Sequence, residues 1–262
     1  MKMKKFTAVI LSIFLTMSIF AGCAKKESSA ANSNGKTKKK YIISTDATYA
    51  PFEYEENGKY VGIDIDLLDA IAKLEGFEYE LKPMNFKGII PALQAGQIDG
   101  AIAGMSITDE RKKVLDMSEG YYESGLALVV KEGNNTIKSL EDLKGKTFAV
   151  KKGTAGAKFA EDNKEKLGVT IKYFDNTPSM FQEVKNGNAD ATLEDYPVIA
   201  YMIKVDPNSG LQIAGEKLTK NYYGFAVKKG QNKELLDAFN RGLKKLKENG
   251  EYDRIIAKYI KK

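Results

Sequence analysis

From Tyr41 onward, short apolar runs alternate with stretches whose apolar residues recur at helical spacing. The runs Tyr41–Thr45, Phe77–Leu81, Ala101–Gly104, Leu126–Val130, Thr147–Val150, Ile171–Phe174 and Ala189–Leu193 have the length of single strands. Between them the spacing predicts helices over Ile65–Leu74, Phe86–Ala95, Thr108–Val114, 154–166, 179–186 and 197–203. Two more, Lys233–Glu248 and Tyr252–Tyr259, follow toward the C-terminus. Strands that alternate with helices predict α/β layers built on largely parallel sheets.

The first forty residues read differently. Lys2, Lys4 and Lys5 precede an apolar run from Phe6 to Ala21, shorter than a membrane-spanning helix needs. The run ends in Phe20-Ala21-Gly22-Cys23, which resembles the lipobox of bacterial lipoproteins, with Phe where Leu is more usual. Residues 1–22 are thus expected to be a signal peptide, Cys23 an acylated N-terminus, and 23–40 a flexible Lys-rich tether. The expected product is extracytoplasmic and held to the cell membrane by its lipid. An ordinary signal peptide with an incidental Cys is the alternative.

Charge and composition then narrow the chemistry. The formal charge of +6 comes from the leader and tether, and without them the folded part is about −2. No nucleic-acid surface is therefore expected. The chain has no His, and its single Cys is Cys23. Imidazole catalysis, His-ligated metals, intrachain disulfides and a Cys nucleophile are all excluded. Neither metal nor cofactor is expected. Asp64 and Asp66 form an acidic pair but precede a helix, whose first turn they suit.

An internal echo organises the folded part. Gly96-Gln97-Ile98-Asp99 and Gly187-Asn188-Ala189-Asp190 both stand between a predicted helix and a predicted strand. They are two independent helix stops, or else the same element in two similar lobes facing one cleft. After the first echo, Gly104-Met105-Ser106-Ile107-Thr108 leads from a strand end into a helix start carrying Arg111. Free backbone N–H groups, a hydroxyl and a guanidinium match a carboxylate, although Thr108 also fits a plain N-cap. The other lobe offers Lys151-Lys152-Gly153-Thr154-Ala155, without P-loop spacing, and Glu194-Asp195-Tyr196-Pro197. Asp195 suits an ammonium group or the cap of the next helix.

Ser44-Thr45-Asp46, Pro51-Phe52-Glu53-Tyr54, Gly62-Ile63-Asp64-Ile65-Asp66, Gly88-Ile89-Ile90-Pro91-Ala92-Leu93 and Thr108-Asp109-Glu110-Arg111, taken together, resemble the polar amino-acid-binding proteins of bacterial ABC importers, solute-binding family 3. The glutamine-binding members are the most similar. The resemblance spans essentially 41–262. It implies the type II periplasmic-binding-protein fold, with 41–125 plus 221–262 as one lobe, 126–220 as the other, and hinges near Tyr121–Gly125 and Asn221–Gly224.

It further implies a monomer that closes over a free amino acid and docks on a permease. By resemblance, Arg111, Ser106 and a backbone N–H near Thr154 and Ala155 meet the α-carboxylate. Asp195 and the Gly104 carbonyl meet the ammonium. Tyr49 and Phe86 sandwich the side chain, unless they only pack the core, and Asp46 and Lys151 read a terminal amide. Two positions depart from the glutamine pattern: Glu194 replaces His and Ala155 replaces Gly. Glu194 adds a negative charge that suits Arg or Lys, unless it pairs with Lys151 or Lys152. Glutamine is favoured, with arginine or lysine as the alternative. A dehydratase or lytic enzyme using Glu194 or Asp46 as general acid is the reading from another class, and an adhesin or sensory domain is a third.

Overall fold

The structure, a computed structural model, describes residues 39–260. The chain opens with β1 (Lys40–Thr45), β2 (Thr48–Tyr49), β3 (Glu53–Glu56), β4 (Lys59–Val61), α1 (Ile63–Glu75), β5 (Glu78–Pro83), α2 (Phe86–Gln94), β6 (Gly100–Ala101), α3 (Asp109–Lys112) and β7 (Leu115–Met117). Next come β8 (Tyr122–Ser124), β9 (Leu126–Lys131), β10 (Thr147–Lys151), α4 (Ala155–Leu167), β11 (Thr170–Phe174), α5 (Thr177–Lys185), β12 (Ala191–Asp195), α6 (Tyr196–Val205) and β13 (Leu211–Ala214). It ends with β14 (Asn221–Tyr223), β15 (Ala226–Lys228), α7 (Lys233–Glu248) and α8 (Glu251–Tyr259). Residues 1–38, which hold Cys23 and nearly all of the expected leader and tether, lie outside the described residues. Lys40, at the end of the expected tether, already belongs to β1.

Two five-stranded sheets form the cores of two α/β lobes, in the orders β5-β1-β6-β15-β7 and β11-β10-β12-β9-β13. In each, a central strand pairs in parallel with both neighbours: β1 with β5 and β6, β10 with β11 and β12. The last two strands in each order complete their sheet in antiparallel pairings. The echo is thus an equivalent element rather than two unrelated stops. Asp99 Oδ2 accepts the N–H of Ile42 on β1 at 2.8 Å, and Asp190 Oδ2 accepts that of Thr147 on β10 at 2.8 Å. Each Asp satisfies a backbone donor at the start of its lobe's central strand, where the ladder leaves one over.

Both faces of each sheet are covered. In the first lobe, Ile43, Leu67, Leu68, Ile71, Phe239 and Leu243 are among the residues packing one face, and Ile89, Leu93, Ala101, Met105 and Leu115 the other. Helix α7 follows the pattern closely, burying Leu235, Ala238, Phe239, Gly242, Leu243 and Leu246 along one stripe. In the second lobe, Leu128, Phe148, Val150 and Leu193 face one layer, and Val129, Ala149, Phe181 and Ile199 the other.

Strands β8 and β14 pair antiparallel, Tyr222 opposite Glu123, in a two-stranded ribbon belonging to neither large sheet. Just beyond it the two connections cross closely. A Cβ on Gly125 would lie 2.0 Å from the Thr219 carbonyl oxygen, so only glycine fits there.

Several expectations shift. The helix over Thr108–Val114 is a single turn, because Thr108 caps it through the Arg111 N–H and the chain soon returns as β7. The strand expected over Ala189–Leu193 instead runs Ala191–Asp195, which carries Glu194 and Asp195 onto the strand end. The pattern missed β2, β3, β4, β7, β13 and β15, all short segments of two to four residues.

Candidate functional site

Nine of the residues singled out in the sequence line one cavity between the lobes: Tyr49, Phe86, Gly104, Ser106, Arg111, Lys151, Thr154, Ala155 and Asp195. The enclosed space between them is about 10 Å³, room for about one water, so the walls stand nearly closed on one another and a solute needs them to part. Asp46 and Glu194 stand directly behind this wall, each bonded to a residue that forms it.

Fold position explains each group. Gly104 follows β6 with φ +51°, a conformation natural to glycine, and a Cβ there would lie 2.7 Å from the Tyr49 ring. Arg111 sits on the one-turn α3. Its guanidinium donates to the Ser106 carbonyl at 2.8 Å and, across the cleft, to the Gly153 carbonyl at 3.1 Å. It also lies over the Phe86 ring, 5.3 Å from the centroid. Thr154 is occupied as the cap of α4, accepting from Ala157 N–H and donating to the Lys151 carbonyl. That leaves Ala155 at the N-terminus of a thirteen-residue helix, whose dipole favours an anion in the cavity.

Lys151, at the end of β10, is buried and ion-paired with Asp46. Its ammonium lies 4.6 Å from the Tyr49 centroid and 5.5 Å from that of Phe86, so the two rings already face a cation. Both rings are buried, and both line the cavity as well as packing against their own lobe.

The second lobe's carboxylates arrive together from β12. Asp195 precedes α6 but makes no side-chain cap, so the capping alternative is not realised. Its Oδ2 accepts from the Tyr49 hydroxyl at 2.8 Å and the Tyr223 hydroxyl at 2.7 Å, while Oδ1 is buried with no partner. Glu194 Oε1 lies 2.9 Å from the same Tyr49 hydroxyl and accepts the Asp195 N–H at 2.8 Å. Its Oε2 faces the Thr177 hydroxyl at 3.4 Å.

A phenol has one proton to give, so Tyr49 cannot serve both carboxylates as donor. Burial pushes the Glu194 carboxyl up to about 7, helped by the charge of Asp195 and opposed by Lys151. Burial also raises Asp195, with the Tyr223 and Tyr49 hydroxyls and Arg111 pulling it back. Burial brings Arg111 down to about 10 against the attraction of Asp195.

The alternative in which Glu194 pairs with Lys151 or Lys152 is not realised. Lys151 pairs with Asp46, and Lys152 pairs with Asp175 at 3.1 Å. Among the described residues, three buried charges of this site therefore lack an ion-pair partner: the cation Arg111 and the carboxyls Glu194 and Asp195. Sequence reasoning missed Tyr223 and Thr177 as parts of this cluster. Tyr223 lies in the segment read as a hinge, and Thr177 at the start of α5 gave no signal.

Residues 41–262 match the bacterial extracellular solute-binding proteins, family 3. The chain is 34% identical over 259 residues to the arginine-binding extracellular protein of Bacillus subtilis (strain 168), covering 98% of each. It is 36% identical over 276 residues to the ABC transporter glutamine-binding protein of the same organism, covering 99% of this chain and 98% of that one. Among solved structures, an ancestral arginine-binding protein bound to arginine superposes with a TM-score of 0.80 at 48% identity, over 85% of this chain and 99% of that one.

Proposed function

The chain belongs to the bacterial extracellular solute-binding proteins of family 3, and from that premise we propose that it captures a free basic amino acid, arginine first, and delivers it to an ABC importer. The observation that carries this reading is the set of three buried, unpaired charges. Arg111 calls for one anion, and Asp195 and Glu194 call for two cations. A buried charge without a partner is costly, so the complementary solute carries one carboxylate and two cationic groups. An amino acid with a cationic side chain has that inventory.

In this reading the α-carboxylate meets Arg111 and the α4 N-terminus near Ala155, with Ser106 and Thr154 completing the wall. The ammonium meets Asp195 Oδ1 and the Gly104 carbonyl. The side chain lies between Tyr49 and Phe86, with its charge at Glu194. Closure involves the lobes 41–125 plus 221–262 and 126–220, moving about the β8–β14 ribbon in a monomer. Cys23 would carry the lipid that holds the protein at the membrane surface, with the stretch to Lys40 as its tether.

Glutamine is the second reading. The Asp46–Lys151 pair offers an acceptor and a donor to an amide, and one relative is named for glutamine. An enzyme of dehydratase or lytic type would use Glu194 or Asp46 as a proton donor. Asp46 is already committed to Lys151, and the charge inventory gives Glu194 a role as counter-ion.

Proton linkage separates the first two readings. A ligand cation favours the ionised form of Glu194, so arginine binding below pH 7 must first expel a proton. Arginine affinity is expected to be full above pH 7 and to fall as pH drops through it, approaching tenfold per unit. Asp195 serves the ammonium of either ligand, so its titration affects both alike. Calorimetric titrations with arginine and glutamine across this range should show the arginine-to-glutamine affinity ratio falling with pH. A ratio independent of pH would place the ligand side chain away from Glu194.

A further inference from the structure

One layer beneath the cavity lie two carboxyl groups that contact no solute in the proposed reading. Glu53 stands opposite Tyr49 in the β2–β3 ladder, and Asp64 sits in the first turn of α1. Asp64 Oδ2 accepts the Gly104 N–H at 2.8 Å and the Tyr121 hydroxyl at 2.8 Å. Both carboxyls are fully buried, and Asp64 Oδ1 and both Glu53 oxygens receive no N–H or hydroxyl donor. The Asp64 N–H donates to the carbonyl of Phe52, the neighbour of Glu53, at 2.9 Å, so the two residues meet in one buried place. Three such acceptors there cannot persist as two carboxylates. One proton, held on Glu53 and donated to Asp64, satisfies the arrangement.

We propose that Glu53 and Asp64 form a proton-sharing pair that positions the cavity floor, so that solute binding depends on a proton the solute never touches. The pair holds two residues of the cavity from behind: the strand carrying Tyr49, and the Gly104 peptide packed against the Tyr49 ring. The inference rests on the proposed role of Gly104 toward the ligand ammonium.

The surroundings agree. Burial raises Glu53 well above the carboxylate range, reinforced by the charges of Asp64 and Asp46 and opposed by Lys151. Burial raises Asp64 to about 6, with its bonds from Gly104, Tyr121 and Glu53 holding it down. When the shared proton leaves at alkaline pH, two like charges face each other beside Asp46, and their repulsion pushes Asp64, with the Gly104 N–H it accepts, out of its place. Solute affinity is then lost as pH rises.

The test compares the natural protein with Glu53→Gln, whose carboxamide donates to Asp64 at every pH. Arginine and glutamine are titrated from neutral to strongly alkaline solution. Both proteins share the ligand's own loss of its ammonium proton, so the difference between them reports Glu53. The natural protein is expected to lose up to about tenfold more affinity per pH unit than Glu53→Gln, and for both ligands. Equal alkaline slopes would overturn the proposal.

Infrared spectra of the ligand-free protein in a Glu194→Gln background give an answer that requires no binding. A protonated-carboxyl band at neutral pH, lost at alkaline pH and missing when Glu53→Gln is added to the same background, is expected. Its absence would refute the shared proton even if arginine binds, and its presence would support it even if neither amino acid does.

Discussion

Arg111→Met is expected to abolish amino-acid binding while leaving the free protein as stable as before, or more so. The guanidinium is buried, its bonds go to the backbone carbonyls of Ser106 and Gly153, and no carboxylate neutralises it. In the free protein that arrangement is a cost, which an apolar side chain of similar length lying along Phe86 removes. In the complex the same charge is the partner of the solute carboxylate. Truncating one member of a buried charge pair costs about 2–5 kcal/mol, an affinity loss on the order of 10²–10³-fold. Thermal unfolding of the free variant and calorimetric titration of the ligand read the two effects separately. A midpoint that drops by many degrees would make Arg111 a structural clasp to Gly153 rather than a ligand group.

Glu194→Gln is expected to invert selectivity. Removing the charge changes the cavity's complement from one anion and two cations to one of each, which matches glutamine better than arginine. Arginine affinity should fall on the order of 10²-fold, while glutamine affinity holds or improves. The new carboxamide still offers an oxygen to the Asp195 N–H and the Tyr49 hydroxyl, so the wall keeps its shape. Parallel losses for both amino acids would assign Glu194 to holding Tyr49 and β12 in place, with no part in recognition.

These two positions show what was legible in the sequence and what was not. Helix α7 runs Lys233–Glu248 as its spacing predicts, because a long amphipathic stripe has one way to bury itself. The two-lobed plan could be read from Gly-x-x-Asp occurring twice, since each Asp meets the same backbone need in its own lobe. The short strands could not be read. Ala226–Lys228 and Leu115–Met117 form because a sheet from distant sequence offers them an edge, which no local pattern records.

At the site, residue types pointed to Arg111 for an anion and Asp195 for an ammonium group, while Lys151 and the two rings came from the family resemblance. Neither could fix the partner of Glu194, because that depends on where Lys152 points, and it points to Asp175. Asp64 is the instructive miss. Its position in a helix first turn accounts for it in the sequence, yet its side chain turns inward to the Gly104 N–H. Glu53 belonged to a quoted motif, but only the ladder opposite Tyr49 shows what it supports.

The central claim is that one buried cation and two buried acids select a basic amino acid. Thermal unfolding of residues 39–262, freed of carried-over ligand by unfolding and refolding, against each common amino acid in turn tests it most directly. A ligand at about 100 times its dissociation constant adds roughly 2.7 kcal/mol, enough to raise the midpoint by several degrees in a domain of this size. The account predicts the largest rise with arginine, a smaller one with lysine or glutamine, and none with acidic amino acids. A largest rise with glutamine, glutamate or any other non-basic amino acid, or no rise with any amino acid, would contradict it.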